Sequence, residues 1–245
     1  MQSAFYAYDT EILIQALDVL GRDSGPYREL HSKIVEQFRK DFPEYHTQTE
    51  CIIALRFHLT PEPEKTLALL VQKIRENGDR MSTGFVGTPH ILHALSENGR
   101  FDLAYTLLLQ EQFPSWLFTV DLGATTMWEH WDSVNKEGDM WPAHMNSFNH
   151  YAYGAVADWI YEVAGGIQQT RNSVGFDELV IAPHPDKRLE WLEVSLETDK
   201  GLISSKWIHT ITGGVRYEIT VPVRACIVID GVQKMVEKGS YVFYK

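Results

Sequence analysis

The sequence predicts two architectures in one chain: a helical segment of the α/α toroid or solenoid class, followed by an antiparallel β-sandwich. Apolar residues recur at three- and four-residue spacing through the first two thirds of the chain, whereas short β-branched runs follow Gly166. The charge changes at the same point. Residues 1–165 hold 12 basic and 23 acidic side chains, and residues 166–245 hold 10 of each. We therefore predict a helical domain over 1–165 and a sandwich over 166–245.

The first domain is predicted to contain seven helices. Proline and glutamate in Pro61–Glu64 suit a helix first turn, and glycine follows the helices that end near Leu20 and Asn77. Loops are short and no long heptad pattern occurs, so helical hairpins laid side by side are favoured. The predicted helices are 5–20, 27–40, 47–59, 61–76, 89–97, 101–112 and 148–163.

The second domain is predicted to contain about six strands. The runs are short, rich in β-branched residues and partly alternating, and turn sequences containing glycine separate them. The runs are 179–181, 192–196, 202–207, 217–221, 226–229 and 241–244. No cluster of ligating or titrating residues appears among them, so we interpret this domain as a structural appendage.

Composition excludes several functions. The 245 residues are 44% hydrophobic, which suffices for a real core, and their net charge of −11 argues against general nucleic-acid binding. No apolar run is long enough to span a membrane, and the first residues lack a signal-peptide pattern. Cys51 and Cys226 fall on opposite sides of the predicted boundary, so free thiols and a cytoplasmic location are expected.

The unusual stretch of the sequence is 116–141, which holds four of the seven tryptophans. Within it, Trp128 and Trp131 flank Glu129. Indole faces pack on sugar rings and carboxylates bind sugar hydroxyls, so this pattern suits a carbohydrate site. The alternative is that both indoles are core residues and that Glu129 is a solvated or salt-bridged acid. Composition alone leaves both interpretations open.

Other catalytic patterns have less support. His90 and His93 have i, i+3 spacing, but no HExxH motif or cysteine pair accompanies them, so we interpret them as structural. The glycines of 83–88 form neither a dinucleotide-binding nor a phosphate-binding loop, and Ser115 lacks the GxSxG context of a serine hydrolase. No metal and no cofactor are expected.

Five motifs carry a resemblance to a known family. In order they are Ser82–Pro89 (STGFVGTP), Leu95–Gly99 (LSENG), Phe113–Leu117 (FPSWL), Gly123–Asp132 (GATTMWEHWD) and Asn146–Gly154 (NSFNHYAYG). The last two are long and specific, and the order and spacing match as well. On these motifs, nearly the whole chain resembles the C-terminal part of bacterial α-L-rhamnosidases of glycoside hydrolase family 78, and the sandwich carries the weakest match.

This resemblance implies an (α/α)6 barrel followed by a β-sandwich, and hydrolysis of terminal α-L-rhamnose with inversion. Inversion requires one carboxylic acid to protonate the leaving oxygen and one carboxylate to activate water. The position matching the general base is Glu129. His150 matches a histidine that contacts rhamnose, and Trp128 and Trp131 are expected to shape the pocket. The implied partner is a rhamnose-containing carbohydrate or glycoside, with no nucleic acid and no membrane.

The chain departs from the family in one respect. The family's general acid lies in an upstream motif of the form RDERxxWxGD, which this chain lacks. The nearby acids that could stand in for it are Glu97, Asp121, Asp132, Glu137 and Asp139. Two functions therefore remain open: the base-bearing part of a rhamnosidase, with little activity alone, or a non-catalytic carbohydrate-binding or scaffolding fragment.

The predicted helix number leads to a second expectation. A full toroid needs twelve helices, and about seven are predicted. We expect the second part of a barrel, with open apolar faces at the first hairpin and the last helix. Large exposed apolar faces are uncommon on soluble monomers, so we expect self-association or a missing N-terminal half of the barrel as partner. The expected face residues are Phe5, Tyr6, Ile12, Leu13, Val156 and Trp159.

Overall fold

A computed structural model describes residues 1–142, 145–170 and 173–245. Spatial contacts divide the chain into two compact units. The first consists of Met1–Leu17 and Arg22–Val156, and the second of Asp18–Gly21 and Ala157–Lys245. These units are defined by spatial contacts and do not test where one domain ends and the next begins. The boundary at Gly165–Gly166 therefore stays a prediction.

The first unit is helical, as predicted. Its α-helices are α1 (Gln2–Val19), α2 (Gly25–Asp41), α3 (Gln48–Arg56), α4 (Pro63–Glu76), α5 (Thr88–Glu97), α6 (Phe101–Leu108) and α7 (Trp116–Asp121). A capping box starts α3, where Thr47 and Glu50 exchange side-chain and backbone bonds. Helix α3 packs against α4 and α5, and α5 packs against α6. Within the described ranges, no helix is long and apolar enough to cross a membrane.

An aromatic cluster joins helices α1, α3 and α5. Phe57, at the end of α3, is 1% exposed; its ring stacks on Tyr8 at 4.2 Å and meets Phe5 edge-on at 5.2 Å. His90 also packs edge-on against Phe57, with ring centroids 5.2 Å apart. The histidine ring therefore contributes to the packing of this core.

The expected open faces are found only in part. On α1, Tyr6, Ile12 and Leu13 are 53%, 46% and 40% exposed, which makes an apolar outer face. The expectation is wrong for two residues. Phe5 packs into the aromatic cluster, and Trp159 is 1% exposed.

The last predicted helix, 148–163, is wrong in its first four residues and irregular in the rest. Ala152–Ala155 is a 3₁₀ turn, Val156–Trp159 is a short α-helix (α8), and Ile160–Ala164 is a π-helical turn. Residues 148–151 are not helical because their backbone bonds to another segment instead, with the His150 N–H donating to Met127 O at 2.8 Å. Helix α7 was not predicted, since six residues are too few to show a period.

The second unit contains two four-stranded sheets. The strands are β1 (Ile167–Gln169), β2 (Leu179–Ile181), β3 (Trp191–Thr198), β4 (Gly201–His209), β5 (Val215–Val221), β6 (Ala225–Ile229), β7 (Val232–Val236) and β8 (Gly239–Tyr244). Their orders are β1-β2-β6-β7 and β3-β4-β5-β8. Every pair is antiparallel except β2 with β6, which is parallel. All six predicted strands occur; β1 and β7 escaped prediction because β1 is short and β7 is mostly exposed.

Alternating side chains build the sandwich core. In β4 and β5, every second residue is buried, as expected for strands with one face inward. Trp207 is fully buried, and its indole N–H donates to Ala164 O at 2.8 Å. Gly166 has φ +76°, and a Cβ there would collide with the backbone of Ala182 and Pro183, so only glycine fits.

Candidate functional site

Two irregular segments carry the longest motifs, and hydrogen bonds join them side by side. We call residues 126–133 and 145–150 the motif pair. The bonds include backbone–backbone, side chain–backbone and backbone–carboxylate contacts, so the pairing is not a regular β-ladder. The bonded pairs are Thr126 with Phe148, Met127 with His150, Glu129 with Ser147, His130 with Met145, and Ser133 with Asn146. The two motifs, distant in the sequence, therefore form one structural element.

Glu129 lies in the middle of the motif pair and is half-buried. Its backbone N–H donates to Ser147 O at 2.8 Å, and its carboxylate Oε2 accepts the Ser147 N–H at 2.8 Å. Both the backbone and the side chain of Glu129 are thus hydrogen-bonded to Ser147, and these bonds orient the carboxylate. The expectation that it faces a concave pocket stays a prediction.

His150 lies at one end of the motif pair, within a column of stacked rings. Its ring stacks on Phe85 at 4.7 Å and on Tyr151 at 5.5 Å, with interplanar angles of 23° and 12°. His150 Nδ1 accepts the Ala152 N–H at 3.4 Å. The structure therefore places Glu129 and His150 on the same pair of segments, and it adds Phe85 and Tyr151, whose roles were not predicted.

The two tryptophans beside Glu129 are packed residues. Trp128 is 7% exposed and meets Phe148 edge-on at 5.5 Å. Trp131 is 6% exposed, and its ring stacks on Tyr153 at 3.9 Å and 7°. These contacts show both indoles supporting the segments that hold Glu129. Their predicted role in binding substrate stays a prediction.

Two of the acids considered as replacements for the general acid, Asp132 and Glu97, already have partners. Asp132 Oδ1 accepts the Trp141 indole N–H at 3.0 Å, and its charge, after burial, helps to raise the pKa of the Tyr153 phenol. Glu97 forms an ion pair with Arg56 at 2.7 Å. Neither geometry marks a proton donor opposite Glu129.

Trp141 is a second aromatic feature of this region. Its ring stacks on His130 at 4.2 Å with an interplanar angle of 10°. The sequence showed Trp141 only as one of a cluster of indoles. Its contacts with His130 and Asp132 distinguish it from the other indoles. Those contacts depend on how the loop between residues 132 and 141 folds, so the sequence alone does not reveal them.

A separate cleft lies beside α2. Its volume is about 530 Å³, and it is lined by residues of α2 together with His58. None of its lining residues belongs to the five motifs. The motif pair, where the candidate catalytic residues lie, is therefore the more relevant region for function.

Comparisons with known proteins identify the class and then the family. Residues 1–164 match the bacterial alpha-L-rhamnosidase 6 hairpin glycosidase domain, and residues 166–240 match the bacterial alpha-L-rhamnosidase C-terminal domain. The helical unit is thus of the six-hairpin glycosidase class. The chain belongs to the bacterial α-L-rhamnosidase family.

Individual relatives agree with this assignment. An alpha-L-rhamnosidase of Streptomyces avermitilis is 34% identical over 228 residues, which cover 90% of this chain and 22% of the relative. One from Formosa agariphila is 36% identical over 216 residues, covering 84% and 23%. The crystal structure of the Streptomyces avermitilis enzyme complexed with L-rhamnose superposes with a TM-score of 0.92 at 30% identity, covering 99% of this chain and 26% of that one. The chain thus spans about a quarter of the length of these relatives.

Proposed function

We propose that this chain is the base-bearing part of an inverting α-L-rhamnosidase that removes terminal α-L-rhamnose from glycosides. The observation that carries the proposal is the Glu129 carboxylate, held by the Ser147 N–H at 2.8 Å in the middle of the motif pair. Family membership supports the substrate class, because the relatives that match the chain are α-L-rhamnosidases.

In this proposal Glu129 is the general base. Its Oε2 accepts the Ser147 N–H, which leaves Oε1 to accept a proton from water. The water then attacks the anomeric carbon from the face opposite the leaving oxygen, and the anomeric configuration inverts. Because the carboxylate is fixed beforehand, little reorganisation is needed to align it with the water.

His150 would donate a hydrogen bond to a hydroxyl of the sugar. Since its Nδ1 accepts the Ala152 N–H, the neutral imidazole carries its proton on Nε2. Stacking against Phe85 and Tyr151 holds the ring plane. Trp128 and Trp131 would act through packing, by keeping the segments around Glu129 in place.

The second candidate is a carbohydrate-binding or scaffolding protein without catalysis. One observation favours it: Asp132 and Glu97, two acids that could have served as proton donor, are engaged by Trp141 and Arg56. In that case the motif pair would bind a rhamnose-containing glycan, and hydrolysis would be absent.

A chimera tests the catalytic proposal. These 245 residues would replace the matching portion of the Streptomyces avermitilis relative, and ¹H NMR would follow the first minutes of 4-nitrophenyl α-L-rhamnoside hydrolysis. The proposal expects β-L-rhamnose as the first product. Retained configuration contradicts inversion, and a folded chimera that binds the glycoside without cleaving it favours the second candidate.

A further inference from the structure

Stacked rings lie on both sides of Glu129 along the motif pair. The bonds run in order from Met127 with His150, through Glu129 with Ser147, to His130 with Met145. His150 and its ring column therefore lie at one end, and His130 with its stacked partner Trp141 lies toward the other. The His150 end is accounted for by the proposed function. The Trp141 end has no role in it.

Trp141 is held rigidly although its side chain is 42% exposed. Its indole N–H donates to Asp132 Oδ1 at 3.0 Å, and its backbone N–H donates to Ser133 O at 3.2 Å. The His130 ring covers one face of the indole at 4.2 Å. His130 is itself fixed, because its Nε2 lies 2.9 Å from Met145 O. The exposed indole surface is thus oriented before any ligand arrives.

This exposure is unusual among the tryptophans of the chain. All seven lie in the part that the structure describes, and five of them are at most 7% exposed: Trp116, Trp128, Trp131, Trp159 and Trp207. The other exposed indole, Trp191 at 56%, belongs to strand β3 of the sandwich. Trp141 alone combines an exposed indole with hydrogen bonds to the motif pair.

The surroundings of Trp141 suit a ring with an apolar face. Met140 and Met145 are 69% and 54% exposed, and the flexible methionine side chain adapts to varied partners. An indole face binds flat sugar and aromatic rings, while the Asp132 carboxylate that fixes the indole is already engaged. The exposed position indicates contact with the outer part of a glycoside, not with an enclosed terminal sugar.

We propose that Trp141 is a specificity-determining platform that binds the ring next to the terminal rhamnose, whether a second sugar or an aryl group. The inference rests on the proposed function and extends it, because it assigns the part of the glycoside beyond rhamnose to the His130–Trp141 stack. The platform contributes binding only and takes no part in proton transfer.

Two glycosides that differ in one ring test the platform on the full chain. The probes are 4-nitrophenyl α-L-rhamnoside and methyl α-L-rhamnoside, with Kd values measured by NMR titration. An aromatic contact strengthens binding by about two- to tenfold beyond area burial, so Trp141→Ala should weaken the nitrophenyl probe by that factor. The Kd of the methyl probe should not change. Trp141→Phe, which retains a ring, should recover most of the loss.

Trp191→Ala is the matched control, since it removes an exposed indole from the sandwich. It should leave both Kd values unchanged. Equal weakening of the two probes by Trp141→Ala would overturn the platform, as would an unchanged nitrophenyl Kd in a folded variant. If neither probe binds the unaltered chain, the platform is overturned, whereas the proposed function is decided separately by whether the chimera cleaves 4-nitrophenyl α-L-rhamnoside. Binding of both probes with no effect at Trp141 removes the platform alone.

Discussion

The motif pair and the sandwich satisfy the hydrogen bonds of their backbone polar groups in different ways. In the sandwich, strand ladders bond the backbone, and side chains are left to pack in alternation. In the motif pair, side chains of Thr126, Glu129 and Asn146 replace part of the ladder. A substitution in the motif pair therefore changes backbone geometry, whereas one in the sandwich changes mainly packing.

The same difference in backbone bonding affects which of the two regions can present functional side chains. Irregular backbone in the motif pair fixes a carboxylate and leaves two exposed aromatic rings, Tyr151 and Trp141, at its ends. The sandwich encloses Trp207 completely and directs its other tryptophan, Trp191, to solvent. Segments held by side-chain bonds can present functional groups that a regular sheet would bury or direct to solvent.

The largest expected effect on stability lies in the sandwich. Trp207→Ala should lower the free energy of unfolding by about 3–5 kcal/mol, because it removes a fully buried indole together with its bond to Ala164 O. Trp191→Ala, at an exposed position of the same unit, should change it by less than about 0.5 kcal/mol. Urea denaturation followed by circular dichroism measures both. Equal effects would mean that the core described for the second unit is wrong.

Two buried serines give a sharper comparison. Ser133 and Ser205 are both 0% exposed, but Ser133 Oγ accepts the His130 N–H at 3.1 Å, whereas Ser205 Oγ has no hydrogen-bond partner among the described residues. Ser133→Ala should cost about 1–3 kcal/mol, because it leaves a backbone N–H unpaired. Ser205→Ala should be neutral or stabilising, since burial of an unpaired hydroxyl is unfavourable. The opposite order would contradict the contrast between the two regions.

The smallest expected effect is a pH dependence in the second unit. Burial lowers the pKa of His184 below its ordinary value of 6.5. Between the folded and unfolded pKa values only the unfolded chain binds the proton, so stability is full above about pH 6.5 and is lost as the pH falls below it. Denaturation at pH 7.5 and 5.5 measures the loss, and His184→Gln should reduce it. An unchanged loss in that variant would assign it to other groups.

Much of the fold was predictable because periodicity is a local property. The helices around Leu70 and Leu95 and the strands around Val194 and Ile219 follow from apolar spacing alone. The last helix was overpredicted because apolar spacing at 148–163 carried no information on the bonds that residues 148–150 make with residues 126–127. Long-range pairing of irregular segments leaves no period in the sequence.

The candidate site was predictable in part. Glu129 and His150 came from motif resemblance, and their position on one pair of segments agrees with the short step between them. The Ser147 N–H could not be predicted, since a backbone donor has no residue-type signal. The exposure of Trp141 and the burial of Trp131 could not be separated either, because both are indoles in one cluster and only tertiary packing distinguishes them.

The central claim is that Glu129, held by Ser147, is the general base. The most direct measurement is the rate of 4-nitrophenyl α-L-rhamnoside hydrolysis by the chimera carrying Glu129→Gln, compared with Glu111→Gln, which changes an exposed acid outside the motif pair. Loss of a general base costs about 10²–10⁴ in rate, so Glu129→Gln should lower kcat by that factor. Glu111→Gln should turn over at the rate of the unaltered chimera. Near-unaltered turnover by folded Glu129→Gln would contradict the account and place the base elsewhere.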